Sequence, residues 1–226
     1  MGIDHLVIVV RDLDRAAKDY ERLGFTVIEG GRHPVGSYNV LIPFADGSYL
    51  EIISFYREAV EHRWWAPLQK GERLVDFCMR TDDLMGDTAK LRAAGVAIND
   101  PVPWSRTRPD GYELRWLLAL ATGPHRGVAP FLIEDLTPRE ERVPQTFEHA
   151  NGATGIATVT IGVEELSPVI KWYESALGTK GNAVKDTVLN AAAVRFRAGD
   201  QVLHYVMPDG ESGPLARWLR EYGPSP

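Results

Sequence analysis

One histidine and one glutamate lie on strand-like segments where a polar side chain needs a chemical reason. His5 lies in DHLVIVV, on the same face as Ile3, Val7 and Val9, and Glu51 lies in YLEIISF. An ionised carboxylate among apolar neighbours is costly unless it is paired or bound to a metal. A lone histidine on an apolar face is more often a hydrogen-bonded core residue than a ligand, and Glu51 can instead form a salt bridge with an arginine. The pattern therefore predicts either a polar pocket that both residues face or two separate buried pairs.

A second group of residues with binding chemistry lies in PWSRTRPDGYELRW. Residues 109–111 have the composition of a turn, and the simplest interpretation is a solvated hairpin. Arg115 differs because it lies in the middle of a strand-like run. A guanidinium there can bind a carboxylate or phosphate through two hydrogen bonds, or it can pair with a fixed acid such as Glu51 or Glu134. Aromatic residues beside it are expected to line an apolar ligand pocket: Trp104 and Trp116.

Two polar residues of RHPVGSYNVLIPF complete the candidate substrate-binding set. Asn39 lies on an alternating strand, on the face opposite Tyr38 and Val40, and it can hydrogen-bond a ligand carbonyl. A role at a strand edge fits Asn39 equally well. His33 is predicted in a loop at the mouth of the pocket, where it can touch the substrate.

Three copies of one unit carry these residues. A shift of 71 residues places Gly24 on Gly95, and a shift of 153 places Tyr20 on Tyr173. Each copy has an apolar strand, about ten residues of helical spacing, a glycine at or near the end of the helix and three further strand-like runs. The second strands of the first two copies are expected near residues 25–29 and 96–103. The pattern predicts an α+β protein with three β-α-β-β-β modules.

Length, charge and composition exclude several classes of protein. A chain of 226 residues allows one large domain or two small ones, and its net charge of −6 argues against a nucleic-acid partner. Its apolar runs are far shorter than the roughly 20 residues of a membrane span, and no signal peptide is evident, so we expect a cytoplasmic protein. A single cysteine excludes an intramolecular disulfide. Dinucleotide-binding, phosphate-loop and serine-nucleophile motifs are missing from the sequence.

Four motifs follow one another along the chain: DHLVIVVRDLDRA, GGRHPVGSYNVLIPFADGSYLEII, TRPDGYELRW and PFLIED. They resemble the glyoxalase-like domain proteins of the vicinal oxygen chelate superfamily, which includes glyoxalase I and the extradiol dioxygenases. The resemblance implies that the first two modules pair into a half-open eight-stranded cup with helices outside, and that the third module is extra. The implied boundaries are a cup over 1–136 with modules 1–56 and 73–136, a linker over 137–153, a degenerate third module over 154–208, and a C-terminal helix and tail over 209–226.

The same resemblance implies a divalent metal on the axis of the cup, held by the first and last strands of each module. Carried onto this sequence, the metal positions are His5, Glu51, Asp76 and Glu134, and the candidate metals are Zn, Ni, Mn, Mg or Fe. One histidine with three carboxylates departs from the two-histidine iron site of dioxygenases. Without a metal, three facing carboxylates repel one another, so at least one must be protonated or paired with an arginine.

The first hypothesis is therefore a metal-dependent isomerase or lyase that acts on an oxygen-rich small substrate, with Glu51 or Glu134 moving the proton. The alternative is a metal-free protein that binds or sequesters a small molecule, and an extradiol-type dioxygenase is a weaker alternative. An unpaired third module would leave sheet exposed, so we expect a homodimer formed partly through residues 154–208.

Overall fold

The structure is a computed structural model that describes the backbone of residues 1–226 and every side chain except that of Leu177. The first module contains β1 (Gly2–Val9), α1 (Leu13–Arg22), β2 (Ile28–Arg32), β3 (Ser37–Pro43) and β4 (Tyr49–Phe55). After α2 (Trp65–Lys70), the second contains β5 (Arg73–Arg80), α3 (Leu84–Ala93), β6 (Val102–Thr107), β7 (Glu113–Ala119) and β8 (Phe131–Asp135). After α4 (Arg139–Arg142), the third contains β9 (Thr158–Gly162), α5 (Ser167–Leu177), β10 (Asn182–Asp186), β11 (Ala191–Ala198) and β12 (Gln201–Pro208), followed by α6 (Pro214–Tyr222).

Eight strands of the first two modules form one barrel in the order β1-β4-β3-β2-β6-β7-β8-β5. The modules join along β1 and β5, which pair antiparallel over most of their length. On the other side, β2 and β6 meet at a single residue pair, Arg32 and Thr107. The eight-stranded cup and the α+β class are therefore confirmed. On the side where the cup was expected to be open, a single residue pair joins the two modules.

Helices α1 and α3 lie outside the barrel, where each buries leucines against the sheet, and each has a side-chain cap at its start. Asp12 accepts a hydrogen bond from the backbone of Arg15, and Asp83 accepts one from the backbone of Gly86, which satisfies free N–H groups at the helix ends. Buried leucines of the helices pack against outward-facing residues of the sheet in one hydrophobic cluster, which includes Leu13, Leu84, Leu91, Ile42, Ile52 and Phe77.

The second strand of each cup module begins later than the sequence pattern indicates. It starts at Ile28 instead of near 25 and at Val102 instead of near 96. The apolar residues just before these strands pack into the outer hydrophobic cluster beneath the helices: Phe25, Val27, Val96 and Ile98. Of these, only Ile98 makes a β-bridge, a single one with Ala121. An alternating apolar pattern indicates that a segment packs against the core, and a segment can do so without belonging to a strand.

The third module forms a separate four-stranded sheet in the order β10-β11-β12-β9. The hydroxyl of Tyr205 donates a hydrogen bond of 2.7 Å to the carbonyl of Val128, which ties this sheet to the second module. On the opposite face, Leu215 and Leu219 of α6 pack against Val206. The homodimer stays a prediction. No helix among the described residues is long and apolar enough to cross a membrane.

The segment over 137–153, expected to be a linker, packs closely against the cup. Arg142 is buried at 2% exposure, and Val143 forms a small cluster with Leu41 and Tyr49. The ring of His149 lies 2.8 Å from the carbonyl oxygen of Pro43. This segment therefore belongs structurally to the barrel and closes one end of it.

Candidate functional site

A β-bulge turns two consecutive residues of β1 toward the inside of the barrel. The pairing of β1 with β5 shifts register between Ile3 and His5, so the usual alternation of faces is broken there. Asp4 is fully buried and His5 is 3% exposed, and the His5 Nδ1 atom lies 2.7 Å from Asp4 Oδ1. A carboxylate only accepts hydrogen bonds, so His5 Nδ1 carries the hydrogen, which leaves Nε2 for other chemistry.

Arg142 of α4 binds the Asp4 carboxylate. Its guanidinium donates to both oxygens of Asp4, at 3.0 and 3.1 Å, to both oxygens of Asp135, and to the hydroxyl of Tyr49. Burial alone raises the pKa of Asp4, but Arg142, with His5 and Arg139, outweighs burial and holds that pKa well below its usual value. Asp4 is therefore a fixed anion that orients His5.

Glu51 faces the free nitrogen of His5. Strand β4 runs parallel to β1, and the Glu51 Oε2 atom lies 3.4 Å from His5 Nε2. The other oxygen, Oε1, accepts a hydrogen bond of 2.5 Å from the side-chain amide of Asn39. Glu51 is 6% exposed. The structure thus brings together His5, Glu51 and Asn39, three residues that the sequence analysis selected.

These residues line a cavity of about 40 Å³ inside the barrel. Aromatic and aliphatic side chains form most of its wall, with a few polar groups, as is typical of ligand sites. The lining includes the predicted His33, Trp104 and Trp116, and also Tyr49, Ile53, His62, Arg63, Trp64, Arg106, Leu118, Leu120, Phe131, Ile133 and Arg142. The volume has room for about three water molecules.

Two of the histidines in this lining are held neutral. Burial lowers the pKa of His33 to about 4 and that of His62 to about 4. The backbone N–H of Trp64 donates to His62 Nδ1 at 3.3 Å, so the neutral His62 ring carries its hydrogen on Nε2. That atom is buried and has no hydrogen-bond partner among the described residues. His62 therefore offers the site a neutral donor.

The second module does not supply the polar residues that the repeat and the resemblance indicate. Asp76 is fully buried, but its carboxylate accepts from Arg63 at 2.6 and 3.0 Å and from the indole N–H of Trp64 at 2.9 Å. Arg63 and Trp64 line the cavity and separate Asp76 from it. The conflict expected among three facing carboxylates is avoided in part because an arginine neutralises this one.

Glu134 points away from the cavity, contrary to expectation. Phe131 and Ile133 of β8 line the cavity, so the residue between Ile133 and Asp135 projects outward by the alternation of a strand. The Glu134 carboxylate accepts a hydrogen bond of 3.0 Å from the backbone N–H of Leu84, at the start of α3. This carboxylate caps a helix and does not reach the site.

Arg115 is also outside the barrel. Its neighbours Leu114 and Trp116 are buried inward, at 0% and 6% exposure, so Arg115 is exposed on the other face of β7. The inward guanidinium lies on the neighbouring strand, at Arg106, which is 3% exposed. From the sequence, Arg115 was singled out for its place in a strand, and Arg106 was left within the solvated hairpin.

The donor set does not fit a divalent metal. Of the four predicted ligands, only His5 and Glu51 face each other. One group of three donor residues occurs among the described side chains, Asp4, His5 and Cys78, with ligand atoms within 4.8 Å of one another. Two arginines neutralise Asp4, and Asp4 already binds His5 Nδ1. Burial raises the pKa of the Cys78 thiol well above its usual value, which disfavours the thiolate that a metal requires.

Several residues of the site gave no clear sequence signal. Asp4 faces inward only because of the bulge, which alternation cannot reveal. Arg142 comes from the segment expected to be a linker, and His62 lies in the connection before α2. For Arg106 a signal existed, since it lies two residues after Trp104 and so shares its face in an extended run.

Comparison with known proteins agrees with this architecture. The family model of the Glyoxalase-like domain matches residues 3–177, and no curated protein matches the chain. A hypothetical protein from Staphylococcus aureus is similar over 92% of this chain and 86% of its own, with a TM-score of 0.70 and 15% identity. A xylose isomerase-like TIM barrel/4-hydroxyphenylpyruvate dioxygenase fusion protein is similar over 93% of this chain and 32% of its own, with a TM-score of 0.55 and 14% identity.

A methylmalonyl-CoA epimerase from Streptomyces coelicolor is similar over 60% of this chain and 98% of its own, with 25% identity and a TM-score of 0.43. These similarities to solved structures do not assign a reaction to this chain. The family match covers the cup, the segment behind it and the third module as far as the end of α5. The chain therefore belongs to the Glyoxalase-like domain family.

Proposed function

We propose that this protein is a small-molecule isomerase or lyase in which Glu51 and His5 move a proton without a metal ion. The observation that carries the proposal is the 3.4 Å approach of Glu51 Oε2 to His5 Nε2 at the wall of a cavity with mostly apolar walls. A carboxylate and an imidazole in contact can hold a proton between them, which is what general acid–base catalysis requires.

The proposed step is the removal of a proton from a carbon atom next to a carbonyl group. Glu51 accepts the proton, so the C–H bond breaks and an O–H bond forms, and the electron pair moves toward the carbonyl oxygen. The proton can then pass from Glu51 Oε2 to His5 Nε2, which breaks the new O–H bond, and His5 can return it, because Asp4 keeps the other ring hydrogen on Nδ1. The neutral His62 Nε2–H donates to the oxygen on which negative charge develops. Return of the proton to the same or another carbon gives an isomerase, and loss of a leaving group gives a lyase.

A metal-dependent form of this reaction is the competing hypothesis from the sequence. It needs ligands from the second module, and there Asp76 is paired with Arg63 while Glu134 caps α3. An extradiol-type dioxygenase is less well supported, because its iron needs two histidines and a carboxylate, and among the described side chains neither His33 nor His62 forms a ligand group with His5 and Glu51. We therefore assign proton transfer to the side chains of the first module alone.

Deuterium exchange tests this proposal even when the product has not been identified. The protein is incubated in D₂O with a panel of 2-oxo and 3-oxo acids, and deuterium incorporation is followed by NMR. We expect exchange that persists in EDTA and that Glu51→Gln slows by about 100-fold or more, the usual contribution of a general base. Glu134→Gln is the matched control and should exchange like the unaltered protein.

Exchange abolished by EDTA and restored by one divalent ion would overturn the metal-free proposal. Equal losses in the two glutamate variants would overturn the role of Glu51. Binding of a panel member without exchange would favour the second candidate, a protein that sequesters a small molecule. That candidate is supported by the wall of the cavity, which contains Trp64, Trp104, Trp116 and Phe131.

A further inference from the structure

Arg106 is a buried cation with no direct carboxylate partner among the described side chains, although the charge of Glu51 acts on it through space. Its guanidinium is 3% exposed and donates one hydrogen bond, from Nη2 to the backbone carbonyl of Arg142 at 3.0 Å. It forms no ion pair with any carboxylate that the structure describes, whereas the buried Arg63 and Arg142 each do. Burying an unpaired charge is costly, so this residue needs an explanation that packing does not give.

The cavity also concentrates polar atoms that lack partners. Among the described side chains, six buried nitrogen or oxygen atoms have no hydrogen-bond partner, and three of them belong to residues of this cavity: Arg106 Nε, His62 Nε2 and Asn39 Oδ1. Native proteins leave few such atoms unpaired, and each one calls for a functional or structural reason. Two of the three are donors, which suits a group that accepts hydrogen bonds.

A second, larger cavity adjoins the first. It has a volume of about 600 Å³ and shares four lining residues with the inner cavity: His62, Arg63, Trp104 and Leu120. We call it the vestibule. Apolar side chains form much of its wall, among them Val35, Ala59, Val60 and Ala121. Its volume suits a drug-sized molecule, whereas the inner cavity admits only about three to four non-hydrogen atoms.

We infer that the substrate class is a carboxylate with an apolar body, whose acid group enters the inner cavity and binds Arg106 while the body stays in the vestibule against Trp104 and Leu120. A carboxylate has the size of the inner cavity, carries the charge that Arg106 lacks and accepts hydrogen bonds from a guanidinium. The inference deepens the proposed function, because it names the substrate class of the same site, but binding alone tests it.

The test compares 4-phenylbutanoate with 4-phenylbutanamide, which have the same shape and differ in charge. Tryptophan fluorescence and titration calorimetry give both dissociation constants. We expect the acid to bind at least about tenfold more tightly than the amide, as for hydrogen bonds to a charged group. Arg106→Met should weaken the acid by about 10- to 100-fold and the amide by no more than about threefold. Arg115→Gln, the exposed arginine of the next strand, should change neither.

Equal affinity of the unaltered protein for acid and amide would overturn the inference without any variant. Equal loss of both ligands in Arg106→Met would also overturn it, because it would show that Arg106 only supports the cavity wall. If Arg106→Met does not fold, Arg106→Lys keeps the charge and should retain a reduced preference for the acid. A lysine variant with no preference for the acid would count against the inference.

Glu51→Gln separates this inference from the proposed function. The variant should lose deuterium exchange and still bind 4-phenylbutanoate at least as tightly, because it removes a carboxylate from the cavity that receives the acid. Binding without exchange in the unaltered protein would overturn the proposed function alone. Exchange of neutral ketones as fast as of oxo acids, with no preference for the acid in binding, would overturn the substrate class alone.

Discussion

Glu51 and Glu134 each lie on the last strand of a cup module, and their side chains leave the sheet in opposite directions. Glu51 points into the barrel and contacts His5 on the neighbouring strand, whereas Glu134 caps the start of α3. The first strands differ in a similar way, because His5 faces the cavity while Asp76 is screened by Arg63 and Trp64. The two modules thus have the same order of elements but contribute different residues to the cavity. The first supplies most of the polar groups, and the second supplies Arg106 and much of the apolar wall.

The two modules therefore share their outward core positions and differ at the positions that face the cavity. Outward apolar positions of both modules pack against helices in one hydrophobic cluster, so changes there affect stability directly. Inward positions face the small cavity, and there the two modules carry different types of residue. The three histidines that line the cavity, within the described part of the chain, all precede β5: His5, His33 and His62.

The largest expected effect is a loss of stability when Arg142, which binds the Asp4 carboxylate, is replaced. Arg142→Met removes the guanidinium from the buried Asp4 and the partly buried Asp135, so we expect a loss of about 3–5 kcal/mol in the free energy of unfolding. Urea denaturation followed by circular dichroism measures it. Arg108→Met is the matched control, because Arg108 pairs with the exposed Asp110 and Glu141. Its loss should be below about 1 kcal/mol. Similar losses in both variants would contradict the special role of Arg142.

The next effect is a loss of stability in acid, caused by the neutral histidines of the first half. The folded-state pKa of His33 and of His62 is about 4, below the unfolded value of about 6.5. The unfolded chain therefore binds more protons between these values, so stability should fall as the pH falls from about 6.5 to 4, by about 3 kcal/mol for each histidine. Urea midpoints across this range measure the slope.

The double variant His33→Gln, His62→Gln should flatten that dependence. Its stability at pH 7.5 serves as the reference, because both histidines are neutral there in the folded and unfolded states. If the slope between pH 6.5 and 4 is the same with and without the two histidines, other groups control the acid sensitivity of the protein.

The smallest effect concerns the second module. Glu134→Gln removes a charge from the start of α3, so we expect a loss of about 0.5–1 kcal/mol in unfolding free energy. Deuterium exchange should not change. Glu113→Gln, at an exposed position of β7, is the control and should have no measurable effect on stability. A drop in exchange for Glu134→Gln would show that the second module takes part in the chemistry after all.

The fold was largely predictable, because most helices and strands follow local patterns in the sequence. The internal repeats indicate the three modules. The exceptions are the late starts of β2 and β6, since Phe25 and Val96 are buried under helices without pairing in the sheet. In the site, His5, Glu51 and Asn39 were predictable as polar residues on apolar strands. Glu134 and Arg115 were misplaced, because the face of a strand depends on its register, and one residue of error reverses it.

Other parts of the site depend on contacts that no local pattern encodes. Asp4 turns inward through a bulge that exists only in the pairing of β1 with β5. Arg142 reaches Asp4 across 138 residues of sequence. The pairing of Asp76 with Arg63 depends on how the connection before α2 folds over the barrel. Such long-range partners are decided by tertiary packing.

The contact between Asp4 and Arg142 also decides when the site is complete during synthesis of the chain. Asp4 is made among the first residues, and its partner emerges from the ribosome only after all eight strands of the cup. A fragment that ended at Asp135 would contain every strand of the barrel and still leave the buried carboxylate of Asp4 without its guanidinium. The smallest unit that can hold this site therefore extends beyond the barrel, and a boundary drawn at the end of the second module would divide it.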